Sequence, residues 1–168
     1  MSSEWKRFEQ VTQHVFPGCK LFRSSAPNYI DHDETQQLTP TAVAFLKEKG
    51  INVLMNFNTR SYTQEEIAML DSAGIKYRHF FVPDFYPPAI GQLEEAIEFV
   101  RSAPDASVLV HCGYGHGRTG TVVTAMQLAA TGGEFPPEPD WVLSNHVERS
   151  SQIATLQKFQ DQLKSKSQ

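Results

Sequence analysis

The sequence predicts a single α/β domain with a central, largely parallel sheet of four to five strands flanked by helices. Strand-like and helix-like segments alternate along the chain, and the helical segments begin and end at capping residues. The chain has 168 residues, of which 40% are hydrophobic and 20% charged, which suits one soluble domain with its own core. We therefore treat residues 1–168 as one domain.

Four segments have the apolar and β-branched composition of strands. They are Lys20–Arg23, Ile51–Phe57, Lys76–Val82 and Ser107–His111. Strands that alternate with helices form parallel sheets, whose ligand sites lie beyond the carboxyl ends of the strands. Functional residues are therefore expected directly after a strand.

Helix boundaries are visible between these strands. Thr39-Pro40 supplies an N-cap and a proline at the first helical position, and Gly50 ends that helix. Thr63 and Glu66 have the spacing of a capping box, and Gly74 ends the second helix. Apolar stripes at helical spacing indicate two further helices. The stripes are Leu93, Ala96, Ile97, Val100 and Ile153, Leu156, Phe159, Leu163.

Two segments lie outside this alternation. The Gly- and Pro-rich residues 131–139 predict a surface connection, and we do not expect a helix over 134–145. An apolar stripe precedes the first strand and is expected to cover the domain's own core, with a partner-binding helix as the alternative. It consists of Trp5, Phe8, Val11, Val15 and Phe16.

Composition limits the class of partner and the compartment. The net charge of −4, with basic residues crowded only at Lys158, Lys164 and Lys166, disfavours nucleic acid and anionic lipid. No apolar run is long enough to span a membrane, so we expect a cytoplasmic protein. Cys19 and Cys112 are too far apart in sequence to indicate a disulfide framework or zinc site.

The segment His111–Gly120, which reads HCGYGHGRTG, follows the fourth strand and opens a helix. Gly113, Gly115 and Gly117 permit turns that aim successive N–H groups at one centre. The N-terminus of the helix, which we expect to begin near Thr119, faces the same centre. A phosphate dianion would bind there, and a cysteine thiol would be stabilised as thiolate.

Cys112 and Arg118 are the reactive and binding side chains of this segment. Cys112 would be a nucleophile, and the planar guanidinium of Arg118 matches two phosphoryl oxygens. Thr119 can donate a hydrogen bond to the sulfur when it must leave, and His111 has a supporting role. His116 either adds weak positive charge at the mouth or is a solvated loop histidine. The alternative for Cys112, a structural core cysteine, leaves the three glycines unexplained.

The pattern His-Cys-x-x-Gly-x-x-Arg-Thr-Gly resembles the signature loop of the protein tyrosine phosphatase superfamily, in particular the small atypical dual-specificity phosphatases. Residues 21–27 and 81–88 are also similar to segments of this family, and the likeness covers roughly 20–163. The resemblance implies a dual-specificity-phosphatase-like domain and a two-step reaction through a phosphocysteine intermediate, without metal or other cofactor. It implies that the substrate phosphate is bound by Gly113, Tyr114, Gly115, His116, Gly117 and Arg118.

The resemblance also assigns a general acid. Asp84 lies 28 positions before Cys112 and is followed by Pro87-Pro88, as in family members. The alternative is a turn residue or helix N-cap. Gln157 in the last helix is a candidate for the polar residue that family members often place near the attacking water.

The substrate stays open at this stage. The leading hypothesis is a phosphatase of phosphotyrosine, phosphoserine and phosphothreonine proteins. The alternatives are a small phosphorylated metabolite such as an inositol pyrophosphate, a silent phospho-binding module, and a pocket repurposed for non-phosphoryl chemistry. The loop contains no lysine, which disfavours phosphoinositides. We expect Asp31–Glu34 to be a solvated acidic loop, and Arg23 and Arg60 to line the pocket rim or lie on the surface.

Overall fold

One five-stranded sheet organises the computed structural model, which describes residues 4–166. The strands are β1 (Glu9–Val11), β2 (Lys20–Ser24), β3 (Val53–Asn56), β4 (Lys76–His79) and β5 (Ser107–His111). Their order across the sheet is β1-β2-β5-β3-β4, with β1 antiparallel and the other four parallel. The predicted fold class is confirmed, and all four predicted strands are present.

Six α-helices cover both faces of the sheet within residues 4–166. They are α1 (Pro40–Glu48), α2 (Gln64–Ser72), α3 (Ile90–Arg101), α4 (Gly117–Ala130), α5 (Glu138–Leu143) and α6 (Ser150–Lys166). Helices α1 and α2 pack on the face that contains Leu54 and Leu109. Helices α3 to α6 pack on the opposite face, which contains Val53, Val108 and Val110. The central strands are therefore buried on both sides, as expected for a parallel sheet.

The helix caps form where the sequence predicts them. The Thr39 hydroxyl accepts the Ala42 N–H at 3.1 Å, with a proline in the first turn of α1. Thr63 and Glu66 form both bonds of a capping box at the start of α2. Because these caps satisfy backbone donors that have no partner within the helix, they fix where α1 and α2 begin.

The N-terminal apolar stripe covers the domain's own core, but it forms a turn and a strand rather than a helix. Trp5 is buried and its Nε1 donates to the Ala42 carbonyl at 3.1 Å. Phe8 stacks on Phe22 with ring centroids 5.5 Å apart. The segment then continues as β1, so the alternative of a partner-binding helix is wrong.

A short helix occupies the segment where none was expected. Helix α5 has a proline in its first turn, where the missing N–H costs nothing. It is anchored by Trp141, which is fully buried and donates its Nε1 proton to the Pro136 carbonyl at 2.9 Å. The expectation for 134–145 is therefore wrong. Helix α4 likewise begins at Gly117, before Thr119.

The carboxyl ends of three neighbouring strands meet at one point of the sheet. Ser24 of β2 and Asn56 of β3 both lie in register with His111 of β5. The loops that follow these strands are therefore neighbours. None of the helices in the described range has both the length and the apolar character needed to cross a membrane.

Candidate active site

The loop between β5 and α4, residues 111–118, closes around the Cys112 sulfur and is called the signature loop below. Cys112 is buried, and the Gly115 N–H donates to its Sγ at 3.3 Å. Gly115 has a φ of +106°, and a Cβ at this position would come within 2.8–3.0 Å of backbone atoms of Ser24 and Ser25. Only glycine fits there, as the sequence pattern predicts.

Arg118 is buried and clamped by a carboxylate that the sequence did not single out. Its Nη2 and Nη1 donate to the two oxygens of Asp33 at 2.9 and 3.0 Å, and Nη1 also donates to the Val82 carbonyl at 3.0 Å. Asp33 also accepts a hydrogen bond from the Thr59 hydroxyl at 2.9 Å. This two-point pairing fixes the plane of the guanidinium.

Asp33 corrects the expectation of a solvated acidic loop. It is buried in a 3-10 turn, Asp33–Thr35, whereas Asp31 and Glu34 are exposed and pair with His32. A Cβ on Gly113 would clash with its carboxylate, so that glycine leaves room for Asp33 beside the loop. Among the described residues, no group of three or more His, Cys, Asp or Glu side chains is arranged to hold a metal ion.

Asp84 reaches the same guanidinium from the mouth of the site. Its Oδ1 lies 3.1 Å from Nη2 of Arg118, and its side chain is half exposed. Burial disfavours the charge of Arg118, but the negative charges of a Cys112 thiolate, Asp33 and Asp84 outweigh it and raise the pKa of Arg118. Among the described residues only Nε of this guanidinium lacks a hydrogen-bond partner, which leaves it for a ligand.

The segment that carries Asp84 is tied to the start of α6. The Arg149 guanidinium lies over the Phe85 ring, 4.1 Å from its centroid. The Gln152 side-chain amide donates to the Tyr86 carbonyl at 3.4 Å. The Phe85 N–H donates to Asp84 at 3.0 Å, in a backbone with a φ of +69° at Phe85. These contacts hold the carboxylate over the signature loop.

Gln152, rather than Gln157, is the polar residue that α6 places beside the loop. Gln157 is exposed and donates to Glu138 at 2.7 Å. Gln152 is fully buried, and its Nε2 would lie 3.0 Å from a Cβ on Gly117. Its Oε1 accepts the N–H groups of Glu148 and Arg149 at the entrance to α6. The sequence offers both glutamines, and only the docking of the helix distinguishes them.

His111 is a buried neutral histidine that supports the loop. Its Nδ1 lies 2.8 Å from the Cys112 carbonyl, which can only accept, so Nδ1 carries the proton. Its Nε2 then accepts from the Tyr62 hydroxyl at 2.7 Å. Burial lowers the pKa of His111 to about 4, which agrees with a neutral ring that has both nitrogens satisfied.

We expect this histidine to make stability dependent on pH. An unfolded histidine has a pKa near 6.5, so below that pH the unfolded state binds a proton that folded His111 does not accept until about pH 4. Stability should fall by about 3 kcal/mol as the pH falls across this window. Urea unfolding of wild type and of the non-titrating His111→Asn variant checks this, because the variant should lose stability less steeply. Equal slopes would contradict the prediction.

His116 is also neutral at physiological pH. Burial, followed by the nearby His146, Arg23 and Arg7, lowers its pKa to about 4. Its ring stacks on that of His146, with centroids 4.3 Å apart. One of the two expected roles of His116 was to supply weak positive charge at the mouth of the site. A neutral ring does not supply it. It lies partly buried beside His146 instead of fully in solvent.

Thr119 lies in the first turn of α4, directly after Arg118. It is fully buried, and among the described residues its Oγ1 has no hydrogen-bond partner. A buried hydroxyl without a partner costs free energy, so such a group needs a reason. A hydrogen bond to the sulfur or to a ligand in the loop would satisfy it.

The two candidate rim arginines lie in different places, and Cys19 is remote. Arg23 is buried behind the loop, and Arg60 is exposed. Cys19 precedes Lys20, which is in register with Ser107, five residues before Cys112 on a parallel strand. Ser107 and Cys112 are thus separated by about 16 Å of strand, and Cys19 lies one residue further away, well beyond the reach of a disulfide. Cys19 cannot serve as a redox partner of Cys112 in this fold.

Comparison with known proteins identifies a family model and a curated relative that match this chain. Residues 31–132, more than half of the chain, match the family model described as "Polymorphic toxin system, DSP-PTPase phosphatase". The mouse dual specificity protein phosphatase CDC14B is 27% identical over 88 residues, which are 52% of this chain and 17% of that protein. The chain therefore spans about a sixth of the length of this curated relative.

Solved structures share the fold at low sequence identity. PTPMT1 in complex with PI(5)P superposes with a TM-score of 0.71 at 16% identity, over 96% of this chain and 99% of the other. The kinase associated phosphatase KAP gives 0.70 at 21% identity, over 87% and 88%. The catalytic core of the PP-IP phosphatase SIW14 from S. cerevisiae gives 0.65 at 18%, over 95% and 90%. The chain belongs to the DSP-PTPase phosphatases of polymorphic toxin systems, within the protein tyrosine phosphatase superfamily.

Proposed function

We propose that this phosphatase hydrolyses phosphomonoesters through a phosphocysteine intermediate on Cys112. The observation that carries the proposal is the convergence of three groups on one point. The Cys112 sulfur lies at the centre of an inward-turned loop, Arg118 closes that loop, and Asp84 lies 3.1 Å from Arg118 at its mouth. This arrangement supports the assignment of a nucleophile, an anion-binding guanidinium and an acid to one displacement at phosphorus.

In the first step the Cys112 thiolate attacks phosphorus and the bond to the ester oxygen breaks. Asp84 donates its proton to the departing oxygen, which leaves as an alcohol or phenol. We assign the equatorial phosphoryl oxygens to backbone N–H groups of the signature loop, of which that of Gly115 faces the Cys112 sulfur, and to the Nε–H of Arg118. These donors are already in place, so they stabilise the transition state without reorganisation.

In the second step water attacks the phosphocysteine and releases inorganic phosphate. Asp84, now a carboxylate, takes a proton from that water, and the P–S bond breaks to return the thiolate. The buried hydroxyl of Thr119 donates to the sulfur as it leaves, which gives this orphaned group its partner. We assign the orientation of the water to the amide of Gln152, which lies beside Gly117.

The side chains around the mouth of the site favour a phosphorylated protein as substrate. Tyr114, Phe85 and Tyr86 are 46%, 49% and 62% exposed around the mouth, and apolar rings of this kind bind side chains of a peptide. The loop contains no lysine, which disfavours a substrate with many phosphates. The second candidate is a small phosphorylated metabolite, which the fold shared with SIW14 and PTPMT1 supports.

The role of Asp84 provides the test of this function. Wild type should release phosphate from 4-nitrophenyl phosphate and from phenyl phosphate with a metal chelator present. Phenol is much the poorer leaving group and needs a proton in the transition state. Asp84→Asn should therefore lower kcat/KM, which reports the step in which the ester oxygen leaves, by about 100-fold on phenyl phosphate and much less on 4-nitrophenyl phosphate. Phosphate release measured with both esters across pH gives the comparison.

A matched control separates the acid from a general charge effect. Asp161→Asn removes an exposed carboxylate on α6 and should leave both rates unchanged. An equal loss of kcat/KM on both esters in Asp84→Asn would show that Asp84 is not the acid. Wild type that releases no phosphate from either ester would overturn the proposed function and favour a phospho-binding module.

A further inference from the structure

The signature loop is held from outside at three consecutive carbonyls. The Ala26 N–H donates to the Gly113 carbonyl at 2.8 Å, and Nε of Arg7 donates to the Tyr114 carbonyl at 2.7 Å. Nη2 of Arg23 donates to the Gly115 carbonyl at 3.1 Å. Two of these three donors are arginine side chains from the N-terminal segment and β2.

Each hydrogen bond to a carbonyl on the outer side of the signature loop fixes the direction of the next N–H group, which then points to the inner side. In a trans peptide the carbonyl of one residue and the N–H of the next point in opposite directions. Drawing the Tyr114 carbonyl outward therefore turns the Gly115 N–H inward, where it meets the Cys112 sulfur at 3.3 Å. By the same geometry, the bond from Arg23 to Gly115 turns the His116 N–H toward the bound anion.

Arg23 is the costlier of the two arginines to keep in place. It is 2% exposed, and among the described residues no carboxylate lies within 4 Å of it. Glu9, on the neighbouring strand, and a Cys112 thiolate are the negative charges that partly offset its burial. A buried guanidinium without an ion-pair partner is expensive, so a role in the site explains it better than packing does.

Arg7 acts from the surface. Its guanidinium lies over the Tyr114 ring, 3.6 Å from the centroid, while its Nε binds the carbonyl of the same residue. Its backbone is fixed next to β2, because the Ser25 N–H donates to the Lys6 carbonyl at 2.8 Å. Arg7 thus holds the tyrosine at the mouth and the loop peptide together.

We propose that Arg23, assisted by Arg7, is a positioning residue that turns the N–H groups of the signature loop toward the substrate phosphate from behind the loop. The inference rests on the proposed function in that the loop binds a phosphoryl group. Neither arginine touches the reacting atoms. Their removal should therefore weaken the binding of any tetrahedral oxyanion in the loop as well as turnover.

The cleft beside Arg23 makes a direct test possible. It has a volume of about 190 Å³ and is lined by Arg7, Arg23, Gly115, His116 and His146, together with Phe8 and Glu9. Arg23→Ala should lower kcat/KM for 4-nitrophenyl phosphate by about 100-fold and weaken tungstate binding, measured by calorimetry, at least 10-fold. Free guanidinium at about 20 mM, far below denaturing concentrations, should enter the vacated space and restore at least 10-fold of the activity.

Two further variants keep the test decisive. Arg101→Ala removes an arginine that lies over the Phe16 ring far from the loop, and it should show neither the loss nor the rescue. Arg23→Lys keeps the charge but not the planar fork, so it should lose about 10-fold and gain nothing from guanidinium.

Failure of the positioning role can be distinguished from failure of the proposed function. Equal tungstate affinity in wild type and Arg23→Ala would overturn the positioning role, even if turnover is normal. If Arg23→Ala does not fold, an Arg23→Lys variant with wild-type tungstate affinity and kcat/KM would overturn it equally. Wild type that binds tungstate but releases no phosphate would overturn the proposed function alone. Wild type that binds no tungstate would overturn both.

Discussion

Replacing Cys112 by serine is expected to lower phosphate release by at least about 10⁴-fold while leaving oxyanion binding intact. A serine hydroxyl stays protonated at neutral pH and cannot replace a thiolate as nucleophile. The binding N–H groups belong to the loop backbone, whose carbonyls are anchored from outside by Arg7, Ala26 and Arg23. Chemistry and binding should therefore separate in this variant.

Two measurements check this separation. Acid quenching of wild type during turnover of a radiolabelled aryl phosphate should trap label on the protein, and Cys112→Ser should trap none. Tungstate should bind both proteins with affinities within about threefold, because the backbone N–H groups of the signature loop are unchanged. Cys19→Ser, which alters the remote cysteine, should match wild type in every respect. Label trapped on Cys112→Ser would contradict the assignment of the nucleophile.

Arg118→Met is expected to cost both activity and stability. The loss of the guanidinium charge and of its Nε–H should lower kcat/KM by about 10³-fold or more. The variant also leaves Asp33 buried beside the loop without its cation, since the Asp33 side chain is 8% exposed. Removing one partner of a buried ion pair typically destabilises a protein by about 3–5 kcal/mol. Urea unfolding and phosphate release measure the two effects.

A second substitution should rescue only one of them. In Arg118→Met/Asp33→Asn the unpaired carboxylate is replaced by a neutral amide, so about 2 kcal/mol of the lost stability should return. Activity should stay at the level of the single variant, because no guanidinium is restored. Arg118→Met with wild-type stability would contradict the ion pair, and an active double variant would contradict the role of Arg118.

Much of this architecture follows from local sequence. The caps at Thr39 and Thr63 and the glycines at 50 and 74 mark α1 and α2, because each satisfies a backbone requirement within a few residues. The signature loop was recognisable for the same reason, since its glycines and its helix N-terminus are neighbours in sequence. The Asp84 segment was located by its resemblance to a family and its distance from Cys112.

The parts that sequence alone did not reveal depend on long-range docking. Asp33 lies among Asp31, His32 and Glu34 and shares their composition, yet it alone is buried against an arginine 85 residues away. Gln152 and Gln157 occupy the same helix, and the packing of α6 on α4 decides which reaches the loop. A charge or an amide has no local signature of burial, because its partner is supplied by another part of the fold.

The pairing of β2 with β5 has a consequence for how an active molecule forms. This parallel pair joins Arg23 to Val110, and the site also needs Arg7 from near one end of the described chain and Gln152 from the last helix. Pairings between distant residues close large loops of chain and form slowly. A ribosome-bound chain that has not yet released α6 lacks the contacts that hold Asp84 in place. In the proposed mechanism, the site that includes Arg7, Asp84 and Gln152 is therefore complete only after residues 7–152 have been synthesised and folded.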